Sequence, residues 1–395
     1  MAAPELELGG ADGPFGIAVS GGGDSTALLL AAQARGLAAR AATVDHGLRP
    51  GSAAEADRVR ALCARFGVPH DVLPLGLTDG PALQARARAA RYAALGAWAR
   101  RHRLPAVLLG HTLDDVAETF LMRLADGVGL DGLAAMAPRF ERDGAVFLRP
   151  LLGARRAALR AHLSALGIEA IEDPSNAEPR FERARVRAML AGSEIAPEQI
   201  AASAAALRAV RRSVEARTRA VAAEIAAQDR GDWRVERSGL DGLLADDPEQ
   251  ARRLLLALIR DVGGGDHPPR RAEQGEMMRR VAARKPATLA GCLLVPEAGA
   301  LRVAREPAAA ARAADVPPGA VWDGRWRITA PPGAAAGLRV GALGAAVVSL
   351  DWRRSGLPRR SLMASPAVRD GGRLVAAPVA APEDGWSAEV LRRRI

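Results

Sequence analysis

An apolar run, Ile17-Ala18-Val19, breaks at Ser20 into three successive glycines, and Asp24 and Ser25 then lead into the apolar stretch 26–32. Read as local structure, this is a strand, a tight loop and the first turn of a helix. Glycine reaches positive φ and lets an anion approach the backbone. The N–H groups of such a loop, together with a helix N-terminus, form a phosphate site. The loop is Ser20-Gly21-Gly22-Gly23-Asp24-Ser25. It lacks the Gly-Lys-Ser/Thr ending of the nucleoside-triphosphatase loop, and it is not G-x-G-x-x-G. The plainer reading is a glycine-rich turn at a strand end.

The surrounding pattern favours the ligand reading. Strands are expected at 39–45, 71–75 and 106–110, with helices at 52–66 and 81–102 between them. Alternation of strand and helix through residues 15–125 predicts an α/β fold with a doubly wound parallel sheet. Ligands gather beyond the carboxyl ends of such strands. That rim holds the loop, Asp45 and His46 after the second strand, and His111 after the fourth. Asp114, Asp115 and Glu118 follow within two turns of a helix. Two or more acids there can hold Mg²⁺ against ATP phosphates, or merely favour the helix N-terminus. With the glycine loop on the same rim, a metal site at Asp115 and Glu118 is expected. Arg88 and Arg91 share one face of helix 81–102, either solvated or turned towards phosphate.

Charge points to a partner. The chain of 395 residues carries a net charge of +10, almost all from arginine, with lysine only at Lys285. A basic chain favours a polyanion, nucleic acid first and a membrane surface second. Cys63 and Cys292 stand far apart in no C-x-x-C, which argues against a disulfide framework or a cysteine metal site. No apolar run approaches the roughly 20 residues of a membrane span, and the acidic N-terminus lacks the basic start of a signal peptide. A soluble, cytoplasmic protein is expected.

The loop resembles the pyrophosphate-binding loop of the N-type ATP pyrophosphatases. Further pieces make the resemblance narrower. They are Asp45-His46-Gly47-Leu48-Arg49, Ala87-Arg88-Ala89-Ala90-Arg91-Tyr92, Gly110-His111-Thr112-Leu113-Asp114-Asp115-Val116-Ala117-Glu118-Thr119, Gly127-Val128-Gly129-Leu130-Asp131-Gly132-Leu133-Ala134-Ala135-Met136, Arg149-Pro150-Leu151-Leu152 and Asp173-Pro174-Ser175-Asn176. In this order, over residues 13–190, the chain is similar to the tRNA(Ile)-lysidine synthetase family. Departures are Asp126-Gly127 where the family has Arg-Gly, Ala184 where it has Asn, and Gln84 where an acid is common.

The resemblance implies a two-step reaction. ATP adenylates the C2 oxygen of the wobble cytidine in an isoleucine tRNA with a CAU anticodon. The amine of free L-lysine then attacks C2 and AMP leaves. The product, lysidine, pairs with A and switches decoding and aminoacylation from methionine to isoleucine. Asp24, Asp45, Asp114, Asp115 and Arg187 are the implied catalytic residues. Ser20, Gly21, Gly22, Gly23, Asp24, Ser25, His46, His111 and Arg183 would bind ATP, and Asp115 and Glu118 would bind Mg²⁺. Lysine is mostly protonated at neutral pH, so Asp115 or Asp45 is the expected base. Homodimer formation is left open. A related adenylating enzyme of the tRNA thiolase type would need reactive or cluster-binding cysteines. A non-catalytic nucleotide- or RNA-binding protein would have no use for all four acids.

The rest of the chain is less specific. A helix is expected at 155–166 and an edge segment at 167–172. Arg180, Arg183, Arg185 and Arg187 form a basic cluster expected near ATP or tRNA phosphates. A long helix is expected at 197–230, then mixed short elements at 232–304, with a helix starting near Asp247-Pro248. Val262-Gly263-Gly264-Gly265-Asp266 imitates a phosphate loop, but Pro268-Pro269 makes it a turn. Residues 306–319 read as an Ala/Pro-rich linker. Trp352, with Arg353, Arg354, Arg359 and Arg360, is suited to stacking on and clamping RNA, and the tryptophans of this region, Trp322 and Trp326 among them, are equally suited to the core of a small β-rich domain. The expected domains are 1–195 for ATP binding and catalysis, 196–305 for a mainly helical tRNA-binding region, and 320–395 for the C-terminal domain.

Overall fold

The first strand, β1 (Phe15–Ala18), has a parallel neighbour on each side. A strand covered on both faces reads as continuous apolar sequence, and Phe15, Ile17 and Ala18 are all buried. Gly16 is required by close approach, because a Cβ there would lie 2.6 Å from the Trp98 ring. The computed structural model describes residues 4–47, 51–78, 80, 83–134, 136–170, 182–264, 269–382 and 385–391. They fall into two units, 1–212 and 213–395.

In the first unit β1 is followed by α1 (Gly23–Gln33), β2 (Ala38–Asp45), α2 (Ser52–Arg65), β3 (His70–Pro74), α3 (Leu83–Arg101), β4 (Val107–Leu109) and α4 (Leu113–Ala125). Then come α5 (Leu130–Leu133), β5 (Arg139–Arg142), β6 (Ala145–Leu148), α6 (Arg156–Ala165), α7 (Glu182–Ala191) and α8 (Pro197–Ile225), whose residues from 213 onwards belong to the second unit. The sheet order is β3-β2-β1-β4-β6-β5. The chain leaves β1 towards β2 and returns on its other side at β4, so the direction of winding switches between β1 and β4. That is where an open α/β sheet opens a crevice.

Helices cover both faces. Leu28 of α1, Val59 of α2 and Leu159 of α6 share one core with Ile17 and Leu108. Tyr92, Leu95 and Trp98 of α3 form the other with Val107 and Phe147. Every residue of α1 from Ser25 to Ala32 is buried, as expected of a helix apolar all round.

The doubly wound parallel sheet is therefore present, with one addition. β5 pairs antiparallel with β6 through Asp143-Gly144, both at positive φ (49° and 71°). This is the two-residue Asp-Gly turn that matches strand twist. The expected edge segment at 167–172 is not a strand over 167–170. Leu48, Arg49, Ala135, Asp173 to Asn176, Arg180, Gly265 and Asp266 lie outside the described residues.

The second unit holds β7 (Ala226–Asp229), β8 (Asp232–Glu236), α9 (Arg237–Asp246), α10 (Pro248–Gly263), α11 (Arg271–Ala282), β9 (Ala287–Leu289), β10 (Cys292–Glu297) and β11 (Ala300–Arg305). These strands make a five-stranded antiparallel sheet beside the helices. Asp247 caps α10 by accepting from Gln250 N at 3.0 Å, and Gly264 ends it in the left-handed region. A short helix, α12 (Pro307–Ala310), lies in the stretch expected to be linker, with Ala309 and Ala310 buried.

The C-terminal strands β12 (Val321–Trp322), β13 (Trp326–Thr329), β14 (Arg339–Ala342), β15 (Pro366–Asp370), β16 (Arg373–Ala376) and β17 (Ser387–Val390) form two three-stranded antiparallel sheets. Trp322 and Trp326 are buried core residues, which removes them from any RNA surface. Trp352 is half-buried, with the Arg353 guanidinium 4.7 Å above its ring. Among the described residues, no helix is long and apolar enough to cross a membrane.

Leu108 is fully buried on the central strand β4. Leu108→Ala should cost about 2–5 kcal/mol, read as a lower urea midpoint for the first unit with an unchanged m-value. A loss under about 1 kcal/mol would mean that this core is not closely packed.

Candidate active site

Between β1 and α1 the chain turns at Gly21, whose φ is +86°. Only glycine holds that angle without strain. Gly22 and Gly23 have room for a Cβ, with nothing nearer than 3.6 Å. Their small size is not demanded by the protein's own packing and leaves the concave side open. Ser25 ties the loop: its Oγ accepts from Ser20 N at 3.1 Å and donates to Gly22 O at 2.9 Å. Thr26 Oγ1 donates to Gly21 O at 3.2 Å. The first N–H groups of α1 have no intrahelical acceptor, so loop and helix end together offer donors to an anion. Gly110 seats this loop, since a Cβ there would lie 2.9 Å from Ser25 N and Ser25 Cα.

Across the crevice α4 begins with a capping box. Thr112 Oγ1 accepts from Asp115 N at 3.3 Å, and Asp115 Oδ2 accepts from Thr112 N at 2.9 Å. The other Asp115 oxygen, Oδ1, accepts from Arg156 Nη2 at 3.0 Å. Glu118 Oε1 accepts from Arg156 Nη1 at 2.9 Å and from Arg187 Nε at 2.9 Å. Asp24 Oδ2 accepts from Arg156 Nε at 3.2 Å. One guanidinium thus joins the glycine loop to two acids of α4. Asp114 faces α6 instead, accepting from Arg156 N at 2.7 Å and from Arg155 Nε at 3.3 Å. Arg155 also pairs with Glu198. Arg183 reaches Glu118 Oε2 at 3.5 Å and Thr119 Oγ1 at 3.3 Å.

Sequence reasoning did not single out Arg156. Its signal was faint: an Arg-Arg pair at a helix start, where acids are usual. Only the fold shows that four carboxylates wait there.

Burial tends to raise the Asp115 carboxyl, but Arg156, the Thr112 N–H and nearby cations together pull it below the ordinary range. Asp24 shifts the other way. Burial raises it, Arg156 opposes, and the Asp115 charge adds to the rise. Arg156 is held firmly protonated; burial disfavours its charge, yet Asp115 and Glu118 more than offset this.

His46 and His111 sit in the cationic part of the rim. Asp45 closes a turn, its Oδ1 accepting from Gly47 N at 2.9 Å, and makes no contact with the other acids among the described residues. Burial and Arg91 lower the His46 pKa. His111 Nδ1 accepts from Arg149 Nε at 3.3 Å. Burial first, then Arg149, hold the His111 pKa down to about 3. Both rings are neutral at pH 7. Asp126 ends α4 and Gly127 follows at φ +64°, so that departure from the family pattern still makes a helix stop.

The residues expected to hold Mg²⁺ do not form a ready-made centre. No cluster of three metal-ligating side chains exists among the described residues, and guanidinium groups take the oxygens that an ion would need. Cys63 and Cys292 are free and buried, and burial pushes their thiols up to about 11 and about 12. Neither is a reactive thiolate.

A parallel sheet whose first strand feeds a glycine nest, with acids and arginines on the facing rim, defines a PP-loop ATP-binding protein. The PP-loop domain model matches residues 10–194. The tRNA(Ile)-lysidine synthase of Ruegeria pomeroyi is 44% identical over 388 residues, 95% of this chain and 91% of that one. That of Novosphingobium aromaticivorans is 41% identical over 309 residues, 74% and 88% of the two chains. Among solved structures, the U34-tRNA thiolase NcsA from Methanococcus maripaludis superposes with a TM-score of 0.42 at 18% identity, covering 53% of this chain and 76% of that one. The chain belongs to the tRNA(Ile)-lysidine synthase family.

Arg156→Met should cost about 3–5 kcal/mol, because Glu118 and Asp115 would be left buried and short of a partner. An unchanged urea midpoint would show that the network contributes nothing. The unfolded His111 takes a proton near pH 6.5, whereas the folded ring takes one only near 3. Its contribution to stability is full above pH 6.5 and is lost as pH falls below that value. His111→Gln should therefore flatten the decline in stability between pH 6.5 and 5; an unaltered slope would refute the buried neutral ring.

Proposed function

We propose that the chain joins free L-lysine to C2 of the wobble cytidine in a CAU-anticodon isoleucine tRNA, consuming ATP and releasing AMP and pyrophosphate. Membership of the family makes it a tRNA-modifying ligase with an ATP-binding PP-loop domain. The observation that supports the reaction most is the physical joining of the phosphate nest to Asp115 and Glu118 through Arg156.

In the first step the cytidine C2 oxygen attacks the α-phosphorus. The bond to the bridging oxygen breaks, and pyrophosphate leaves towards the amides of residues 20–25, whose fixed donors stabilise the developing charge. In the second step the lysine amine attacks C2. The C2–O bond breaks, AMP leaves with that oxygen, and the surplus proton on nitrogen passes to a carboxylate. Of Asp24 and Asp115, Asp24 is the stronger base, its pKa being raised while that of Asp115 is lowered. The carboxylates that hold Arg156 form a cation cradle of the kind an ammonium group needs.

Bound with ATP, Mg²⁺ would neutralise phosphate charge, and Asp115 and Glu118 are the residues that would hold it. A metal contact from Asp115 or Glu118 requires Arg156 to release an oxygen. Arg183 and Arg187 on α7 are proposed phosphate contacts. A cytoplasmic setting and tRNA binding by residues 196–305 belong to the same reading.

Incubation with ATP, Mg²⁺, labelled lysine and candidate tRNAs should put label only into the CAU isoleucine tRNA. Asp24→Asn should slow incorporation about 10²–10⁴-fold. Label in no tRNA, or in all of them, would sink the proposal.

A further inference from the structure

Arg149 is a buried cation. It is 7% exposed, and no carboxylate among the described residues pairs with it. Its Nη1 donates to Ala137 O at 2.6 Å, and its guanidinium lies 4.2 Å above the Phe140 ring. Burying a charge in this way is costly unless the arrangement serves something. Its Nε–H is aimed at His111 Nδ1 at 3.3 Å.

An arginine can only donate, and a neutral imidazole has one donor and one acceptor nitrogen. Nδ1 must therefore carry the lone pair, which leaves the ring proton on Nε2. Protonating the ring would set an N–H against an N–H beside a full positive charge. Arg149 acts on the ring from the segment after β6, and Arg88 and Arg91 act from α3; only Asp115 of α4 opposes them. His111 is thereby one tautomer, and Nε2 has no protein partner among the described residues. Its neighbour Gly110 packs on the backbone of Asp24 and Ser25, so the ring stands beside the anion-holding loop.

We propose that Arg149 is a positioning residue that holds His111 as the neutral Nε2–H tautomer, and that this N–H donates to an oxygen of the bound nucleotide. His111 is on this view a fixed hydrogen-bond donor, not a proton relay. The donor half rests on the ATP-binding reading above; the tautomer half does not.

The test uses the full chain with ¹⁵N-labelled histidine rings, and His111→Gln identifies the His111 signal by its loss. Long-range ¹H–¹⁵N spectra without nucleotide should show the Nε2–H pattern for His111, unchanged from pH 8 to 5.5. Arg149→Lys keeps a charge but loses the directed Nε–H. It should give mixed tautomers or a ring that titrates, and should raise the KM for ATP about tenfold while leaving the KM for lysine unchanged. The Gln amide nitrogen stands where Nε2 does, so His111→Gln should keep at least about tenfold more turnover than His111→Ala, which should lose about a hundredfold. An Nδ1–H ring, or a wild-type ring titrating near 6.5, overturns the tautomer assignment. Folded Gln and Ala variants that are equally impaired overturn the donor role. If the wild-type chain binds no ATP, the functional reading fails together with the donor role, and the spectra still decide the tautomer.

Discussion

The guanidinium of Arg156 is the interaction on which the catalytic end of the first unit depends. It meets carboxylates from α1 and α4 with three different nitrogens, while its own backbone N–H is taken by Asp114. Buried charges persist only when paired and hydrogen-bonded. Glu118 is 1% exposed and Asp115 is 7% exposed, so without that guanidinium each would lose a buried hydrogen-bonded partner. The same bonds fix the angle between the glycine loop and α4. The loop cannot tilt and the helix cannot slide without stranding a charge.

Around this centre the rim is divided by sign. Asp24, Asp114, Asp115 and Glu118 stand with Arg155, Arg156, Arg183 and Arg187, each acid with at least one cation. On the other side Arg88, Arg91 and Arg149 surround two histidines and lower the pKa of His111. The rim therefore holds both kinds of charge ready, and preorganised dipoles and charges need not reorganise during reaction. In the second unit the arginines have a different use: Arg302 is nearly fully buried and ties Asp229, Asp232 and Glu297 into the sheet.

Much of the first unit was legible because its signals are local. The break from apolar run to glycines marked the loop, and Asp114 and Asp115 just beyond a strand marked the start of α4; in the second unit Asp247-Pro248 marked α10. The β5–β6 hairpin has a local signal too, Asp143-Gly144 between two short alternating runs, set inside an otherwise repeating strand–helix pattern. The tryptophans were undecidable, since Trp322 and Trp326 satisfy both a stacking platform and a core until a sheet closes over them.

By itself, then, the order of residues determined the strands, the helix starts, the nest and the family, because propensity, capping and turn chemistry act over a few positions. Only the tertiary structure decided who partners whom. Asp24 and Arg156 are 132 residues apart, and no local rule relates them; they meet because the winding switches between β1 and β4 and brings α6 back over the loop. Likewise Arg149 finds His111 only once β6 lies beside β4. Charge pairing is set by distance in space, and distance in space is a property of the folded sheet.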